Sequence, residues 1–172
     1  MSKNSHAAPI VYGGIFMALT ILCTYVFALQ TTFIRIDFAF IPIALYAAMW
    51  GSARTAVMAG LADIIGSNLF MPGLYFPGFT VSAVLTGWLY GTFLYGREIS
   101  FKRAMVLTLL VFVFVDCILN NIWLTIMYHD AAKAFYSWRL VKSALLAPCK
   151  AFIIYTLYKP LHVFIAKYSA KS

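Results

Sequence analysis

The chain has 172 residues, of which 63% are hydrophobic and only 10% are charged, and its formal net charge is +8. A soluble domain is about 45–50% apolar and about 25% charged. Thirteen basic and five acidic side chains are too few to cover a water-soluble globule of this size. A disordered chain is excluded as well, because 17% of the residues are aromatic and supply ample apolar surface to bury. The composition is that of a membrane protein.

Apolar runs divide the chain into predicted membrane-spanning helices. A spanning helix needs roughly 20 residues, so this chain has room for about six spans joined by short loops. The predicted spans cover residues 9–30, 38–50, 55–70, 79–95, 104–128 and 136–158. Membrane strands are excluded, because these runs are apolar on most faces and do not alternate with polar residues. We therefore expect an all-α integral membrane protein, built as a single six-helix bundle over residues 1–172.

The charges of the loops predict the orientation in the membrane. With the N-terminus inside, the basic loop residues on the cytoplasmic side are Lys3, Arg54, Arg97, Lys102, Arg103, Lys159, Lys167 and Lys171. Only Arg35 and Lys133 fall clearly outside. By the positive-inside rule, both termini are expected in the cytoplasm and the Pro-Gly loop at residues 71–78 outside. The scattered charges form no basic cluster, so nucleic acid is not expected as a partner.

Basic residues inside the sixth span are the first candidate for function. Arg139, Lys142 and Lys150 follow one face of a helix. Charges within a bilayer are costly, so they mark either a binding site or side chains that reach the lipid headgroups. Both interpretations stay open for Arg139 and Lys142. Lys150 lies deeper in the span, where it can instead pair with an acid such as Asp116.

Polar residues also interrupt the fifth and third spans. Asn120 shares a helix face with Asp116, and Asn121 is turned about 100° away. Either amide can bind a neighbouring helix or read the hydrogen-bonding edge of a polar ligand. Asp63 lies between two glycines, where it can pair with a basic residue, cap a helix end or contact a ligand.

Motifs of enzymes and metal sites are missing from the sequence. It contains no P-loop, no H-E-x-x-H and no G-x-S-x-G. The three histidines are widely separated and match no metal-ligand spacing. Cys23, Cys117 and Cys149 lie in apolar runs, so we expect them to be small core residues. No catalytic residue, metal or cofactor is predicted, and a polar pocket without an energy source indicates a binding subunit that partners drive.

Several segments are similar to those of a known family. Residues 35–42 (RIDFAFIP), 60–66 (GLADIIG) and 75–91, which begin with YFPGFT, resemble the S component of energy-coupling factor (ECF) vitamin transporters. Within that family the likeness is greatest to the folate-specific members. The NNIW segment of the fifth span and the basic start of the sixth agree with it. The resemblance covers the whole chain in helix count and is densest from about residue 34 to 96.

The resemblance implies a vitamin-binding protein in the cell membrane, which works with a transmembrane coupling subunit and two cytoplasmic ATPases. The vitamin is expected toward the extracellular side. A pterin ring would stack on aromatic side chains and be read at its edge by an amide or an acid, and the dianionic tail of folate would bind cations. The residues expected to contact folate are Arg35, Asp63, Tyr75, Phe76, Phe79, Asn120, Asn121, Arg139 and Lys142. Tyr75 and Phe76 lie within the Pro-Gly loop at residues 71–78, which is expected to hold them over the pocket as a lid.

The first span is expected to dock on the coupling subunit. The first helix of the family commonly carries an Ala-x-x-x-Ala motif, and the matching positions here are Gly14 and Ala18. Two small residues four apart allow another helix to approach closely. The first of the two is glycine where the family commonly has alanine, so this chain departs from the motif.

Other functions remain open at this point. The ligand can be another vitamin, such as thiamin, riboflavin or pantothenate, although a ligand without an anionic tail leaves the cations of the sixth span unexplained. The chain can also be a small solute carrier that acts alone, an intramembrane enzyme or an assembly factor. Uptake in cells that lack ECF ATPases would identify a stand-alone carrier.

Overall fold

The structure is a computed structural model that describes residues 7–30, 35–70, 75–128 and 136–169. Within these ranges the helices form six rods. The first rod is α1 (Ala7–Ile21), which continues through a π-helical turn (Leu22–Val26) and is followed by β1 (Leu29–Gln30) and β2 (Arg35–Ile36). The next three are α2 (Phe40–Trp50), α3 (Ser52–Phe70) and α4 (Pro77–Leu94). The fifth joins α5 (Phe101–Leu110), a π-helical segment (Val111–Leu119) and α6 (Asn120–Tyr128), and the sixth is α7 (Tyr136–Ser169).

The predicted all-α class with six helices is confirmed, with one addition. Strands β1 and β2 pair antiparallel, with Leu29 opposite Ile36 and Gln30 opposite Arg35. The first rod ends at Val26, whereas the predicted span continues to Gln30. Residues 4–34 contain no charged side chain, so hydropathy carries no signal for this boundary.

The rods differ in length and in burial. Among the described helices, three are long and apolar enough to cross a membrane: Ala8–Val26, Phe101–Met127 and Leu140–Pro160. Helix α2 has 11 residues and extends over about 16 Å, roughly half the thickness of the hydrocarbon core. It contacts α1, α3, α4 and α7, and almost all of its residues are buried. Helix α2 is therefore the centre around which the longer helices pack.

Helices α3 and α4 pack against each other through small residues. A Cβ atom at Gly87 would lie 2.6 Å from the carbonyl oxygen of Thr55, and one at Gly91 would collide with the backbone of Ser52. Helices in lipid gain little from apolar contact alone, so a close approach of backbones supplies dispersion energy instead. This approach also places the outer part of α3 beside the start of α4, where the candidate site lies.

One end of the molecule collects basic residues from several helix ends. The hydroxyl of Tyr158 on α7 donates to the carbonyl oxygen of Arg97, which follows α4, at 3.3 Å. The basic residues near this end are Arg54, Arg97, Lys102 and Arg103 at helix ends and Lys159 next to Tyr158 within α7. They belong to the set that the positive-inside rule assigns to the cytoplasm, and the orientation itself stays a prediction.

The outer surface of the bundle is apolar. Ile10, Leu69 and Leu145 are 77%, 70% and 67% exposed, which suits side chains that face lipid. The expectation that all three cysteines are core residues is wrong for Cys149, which is exposed, while Cys23 and Cys117 are half-buried and all three thiols are free. A thiol that faces lipid has apolar surroundings too, so an apolar run does not distinguish it from a core residue.

Candidate ligand-binding site

Three aromatic rings meet at the start of α4, the end of that helix away from the basic loops. The ring centroid of Phe76 lies 6.1 Å from that of Phe79 and 5.9 Å from that of Trp123 on α6. The indole Nε1 of Trp123 donates to the hydroxyl oxygen of Ser82 at 3.2 Å, which fixes the plane of the indole. A Cβ atom at Gly78 would lie 2.5 Å from both Phe76 and Trp123, so only glycine leaves room for them. We call Phe76, Phe79 and Trp123 the aromatic cluster.

A chain of hydrogen bonds begins at Tyr75, the neighbour of the aromatic cluster in sequence. The hydroxyl of Thr80 on α4 donates to Oδ2 of Asp63 on α3 at 2.8 Å. The Tyr75 hydroxyl lies 3.0 Å from the same Thr80 oxygen. Thr80 has one hydroxyl proton and gives it to the carboxylate, so Tyr75 is the donor in its own bond. The segment before α4 is thereby tied to α3 through Asp63.

The fifth rod is widened around Asp116. Residues Val111–Leu119 are π-helical, a geometry in which backbone bonds span five residues instead of four. The Nδ2 of Asn121 donates to the backbone carbonyl of Asp116 at 3.2 Å and to that of Cys117 at 2.8 Å. The side chain of Asn121 therefore satisfies carbonyl groups at the end of the π-helical segment. Such segments are frequent at functional sites.

Asn120 makes a different set of bonds. Its Nδ2 donates to Oδ1 of Asp116 at 3.3 Å. The amide nitrogen must be the atom that faces Asp116, because a carboxylate oxygen only accepts. The Oδ1 of Asn120 is buried and has no hydrogen-bond partner among the described residues. An unpaired buried acceptor costs about 1–3 kcal/mol, so this oxygen is a candidate contact for a donor on a ligand.

Helix α7 brings positive charge to the same region. The charges of Lys150 and Lys142 attract the carboxylate of Asp116, and the charge of Asp37 repels it. The Nζ of Lys150 also lies 5.7 Å from the ring centroid of Phe40 at the start of α2. The positive charge of Lys150 thus acts on Asp116, and a direct pair between the two side chains stays a prediction. Within the described ranges, no three His, Cys, Asp or Glu side chains come together as candidate ligands of a metal.

The structure brings together part of the predicted contact set. Four of its members lie where α3 meets the start of α4: Asp63, Tyr75, Phe76 and Phe79. Asn120 is the first residue of α6, the helix that carries Trp123. Two further residues, Arg35 in β2 and Arg139 near the start of α7, have side chains outside the described part of the structure. Residues 71–74 of the expected lid lie outside it as well. The ligand contacts of all these residues stay predictions.

Some residues of the site were not predicted from the sequence. The sequence gives Trp123 no role beyond its place in a similar segment, because an aromatic residue in an apolar span is usually a packing residue. Thr80 and Ser82 were not singled out, since their partners Asp63 and Trp123 are distant in sequence. The signal for Asp116 was its spacing from Asn120, but the sequence linked this acid to Lys150 and not to a ligand.

The two predicted docking residues lie on the outer surface. Gly14 and Ala18 are both exposed, and a Cβ atom at Gly14 would meet no atom of the described residues within 4 Å. Gly13 faces inward instead, where a Cβ atom would lie 3.1 Å from the hydroxyl oxygen of Tyr46. The Gly14–Ala18 pair is therefore not part of the internal packing of the bundle, and docking through it stays a prediction.

Comparison with known proteins places the chain in a family. A family profile described as the S component of an ECF-type riboflavin transporter matches residues 4–163. The chain therefore belongs to the family of ECF-type S components, which confirms the resemblance noted in its sequence motifs. It is a multi-pass membrane component of a transport system and not an enzyme.

Individual relatives carry a more specific description. The folate transporter FolT of Clostridium novyi (strain NT) is 36% identical over 149 residues, which are 87% of this chain and 87% of that protein. The folate transporter FolT of Leuconostoc mesenteroides is 31% identical over 133 residues, which are 74% of this chain and 72% of that protein. A crystal structure of FolT bound with folic acid is 35% identical and similar in fold, with a TM-score of 0.81 over 86% of this chain and 90% of that chain.

Proposed function

We propose that this chain is a folate-binding S component. As a single membrane-embedded domain, it captures folate at the extracellular side for uptake that partner subunits drive with ATP. The observation that carries the proposal is the similarity, in fold and in sequence over most of both chains, to FolT bound with folic acid. The positive-inside rule supports the direction of transport, because the candidate site lies at the end of α4 away from the basic loops.

The chemistry of the candidate site supports folate as the ligand. A pterin ring is flat, and the aromatic cluster offers rings on which it can stack. The edge of a pterin carries N–H donors, which the unpaired Oδ1 of Asn120 can accept. The tail of folate carries two carboxylates, and α7 supplies Lys142 and Arg139 for charge-assisted bonds.

Riboflavin is the second candidate, because the matching family profile is described by that vitamin. Riboflavin carries no anionic group, so it would leave the basic residues of α7 without a role. Thiamin is itself a cation and is disfavoured by the same charges. Pantothenate has one carboxylate but no ring for the aromatic cluster to bind.

Titration calorimetry of the detergent-purified protein with each of the four vitamins tests the proposal. We expect saturable, tight binding of folate and much weaker binding of riboflavin, thiamin and pantothenate. Trp123→Ala should weaken folate binding about tenfold, the order expected when a ring contact is lost. Trp88→Ala is the matched control, because Trp88 lies on the outside of α4 with 49% of its surface exposed. Tight binding of riboflavin without binding of folate would overturn the proposal.

The partner subunits follow from membership of the family. The chain itself lacks a P-loop, so the proposed energy source is a pair of cytoplasmic ATPases that act through a transmembrane coupling subunit. Cells should take up labelled folate only when they express this chain together with the coupling subunit and both ATPases. Uptake at the same rate in cells without the ATPases would identify a stand-alone carrier instead.

A further inference from the structure

We propose that Asp116 and Asn120 form a specificity-determining pair, which accepts hydrogen bonds from two neighbouring N–H donors on the ring of the ligand. This inference rests on the proposed function, because it takes the ring to be a pterin. It gives Asp116 a ligand contact that the sequence did not predict. It also separates Asn120, which contacts the ligand, from Asn121, which positions the pair.

The backbone beneath the pair is held by Asn121. Both N–H bonds of its side-chain amide are used by the carbonyl groups of Asp116 and Cys117, at 3.2 and 2.8 Å. These bonds secure the end of the π-helical segment, from which the Asp116 side chain projects. Asn120 follows one turn later and bonds Asp116 directly at 3.3 Å. Asn121 is therefore a positioning residue, with no amide proton left for a ligand.

The pair presents acceptor atoms from two side chains. The buried Oδ1 of Asn120 accepts no hydrogen bond from the described residues. The carboxylate of Asp116 uses one oxygen for the amide of Asn120 and has further lone pairs on both oxygens. Positive charge from Lys150 and Lys142 on α7 also acts on this carboxylate. The site can therefore hold two acceptors side by side within the bundle.

This arrangement matches one edge of a pterin and opposes the corresponding edge of a flavin. The pterin carries a ring N–H beside an exocyclic amino group, which are two parallel donors of the kind a carboxylate binds well. A flavin carries a single N–H between two carbonyl oxygens on its pyrimidine edge. Those oxygens would face the acceptors of Asp116 and Asn120, and unpaired buried acceptors oppose binding strongly. The pair thus discriminates folate from riboflavin.

The test is titration calorimetry of the purified full-length protein with two ligands: folic acid, and its analogue in which methyl replaces the 2-amino group. The wild-type protein should bind the analogue at least about tenfold more weakly than folic acid. Asp116→Asn should lower the affinity for folic acid about tenfold and remove most of the difference between the ligands. Asn120→Leu should reduce that difference as well. Thr125→Val is the matched control, because the exposed Thr125 hydroxyl on the same helix bonds the backbone carbonyl of Asn121, at 2.8 Å, and not the Asp116–Asn120 pair.

Each outcome separates this inference from the proposed function. Equal affinity of the wild-type protein for the two ligands overturns the inference while leaving folate binding intact, and this comparison requires no variant to fold. A loss of both ligands by the same factor in Asp116→Asn also overturns it, since that result indicates a structural role. If the wild-type protein binds no folic acid, the proposed function itself fails.

Discussion

Arg139 and Lys142 stand three residues apart near the start of α7, and Lys142 is half-buried. A carboxylate held by such a cation forms hydrogen bonds of about 1.5–3 kcal/mol, more than a neutral pair contributes. If these two residues bind the tail of folate, removing one of them lowers the affinity only for ligands that carry the tail. The alternative, in which both side chains reach lipid headgroups, predicts no effect on any ligand.

The tail contact leads to a first prediction. Arg139→Ala should weaken the binding of folic acid about tenfold to a hundredfold, while the affinity for 6-methylpterin changes little. Calorimetry with the two ligands measures the difference. Lys159→Ala is the control, because it removes a positive charge from an exposed position 20 residues further along the same helix. Equal weakening of both ligands would reject the assignment of Arg139 to the tail.

Single residues also show where prediction from sequence ends. Asn120 and Asn121 were both identified, because an amide in an apolar span is costly unless it has a partner. Their division of roles depends on the direction of each side chain, which follows from the π-helical segment before them. Hydrophobic periodicity does not distinguish a π-helical segment from an α-helix. Trp123 was missed for a related reason, since its bond to Ser82 depends on how α4 and α6 pack.

At the scale of elements, the segment before α4 is tied to α3 by the hydrogen bonds of Tyr75, Thr80 and Asp63. Its next residue, Phe76, belongs to the aromatic cluster. The segment is thus held by the hydrogen bond of Tyr75 and by the packing of Phe76. A segment held in this way can cover a bound ligand and delay its release.

The double variant Tyr75→Ala, Phe76→Ala should therefore release folate faster, by about tenfold, because it removes both the tether and one ring of the cluster. Tyr75→Phe, which loses only the hydrogen bond, should have a smaller effect in the same direction. Stopped-flow displacement of bound folate by excess competitor measures the off-rate. Tyr95→Phe, at the other end of α4, serves as the control. An unchanged off-rate in the double variant would mean that the segment is only a connector.

The α3–α4 contact gives a prediction for stability. Gly87→Ala places a methyl group 2.6 Å from the carbonyl oxygen of Thr55, so the two helices must separate. Overpacking of this kind costs about 1–3 kcal/mol, and the midpoint of thermal unfolding in detergent should fall by several degrees. Gly14→Ala is matched in chemistry but has open space around it, so its midpoint should stay the same or rise slightly. A lower unfolding midpoint for Gly14→Ala than for Gly87→Ala would contradict this packing of α3 against α4.

Elements differed in how well the sequence predicted them. Long apolar runs identified six helices, because lipid requires every backbone group to be bonded within the segment. The sequence does not predict the hairpin of β1 and β2, because each strand has only two residues, too few to show an alternating pattern. The central position of the short α2 also depends on packing with four other helices, which no property of its own residues specifies.

At the scale of the whole molecule, the outer face of α1 is the surface proposed to meet the coupling subunit. Gly14 and Ala18 lie on this face, flanked by Ile10, Ile15 and Leu22, which are 77%, 52% and 40% exposed. Large side chains on either side of two small residues form a shallow channel into which another helix can fit.

Ala18→Trp should fill this channel. We expect it to abolish folate uptake and co-purification with the coupling subunit, while the folate affinity of the isolated protein changes little. Leu145→Trp, which enlarges a side chain on the lipid-facing side of α7, should leave uptake and complex formation intact. Complex formation retained in Ala18→Trp would move the docking surface elsewhere. Loss of folate binding would instead show that α1 shapes the ligand site.

The most direct test of the central claim is to identify the ligand that co-purifies with the protein. The chain is expressed in cells grown with both folate and riboflavin and purified in detergent, and the bound molecule is released by acid. The account predicts a pterin absorbance spectrum and the mass of a folate, in near-stoichiometric amount. A flavin spectrum without any folate would contradict it.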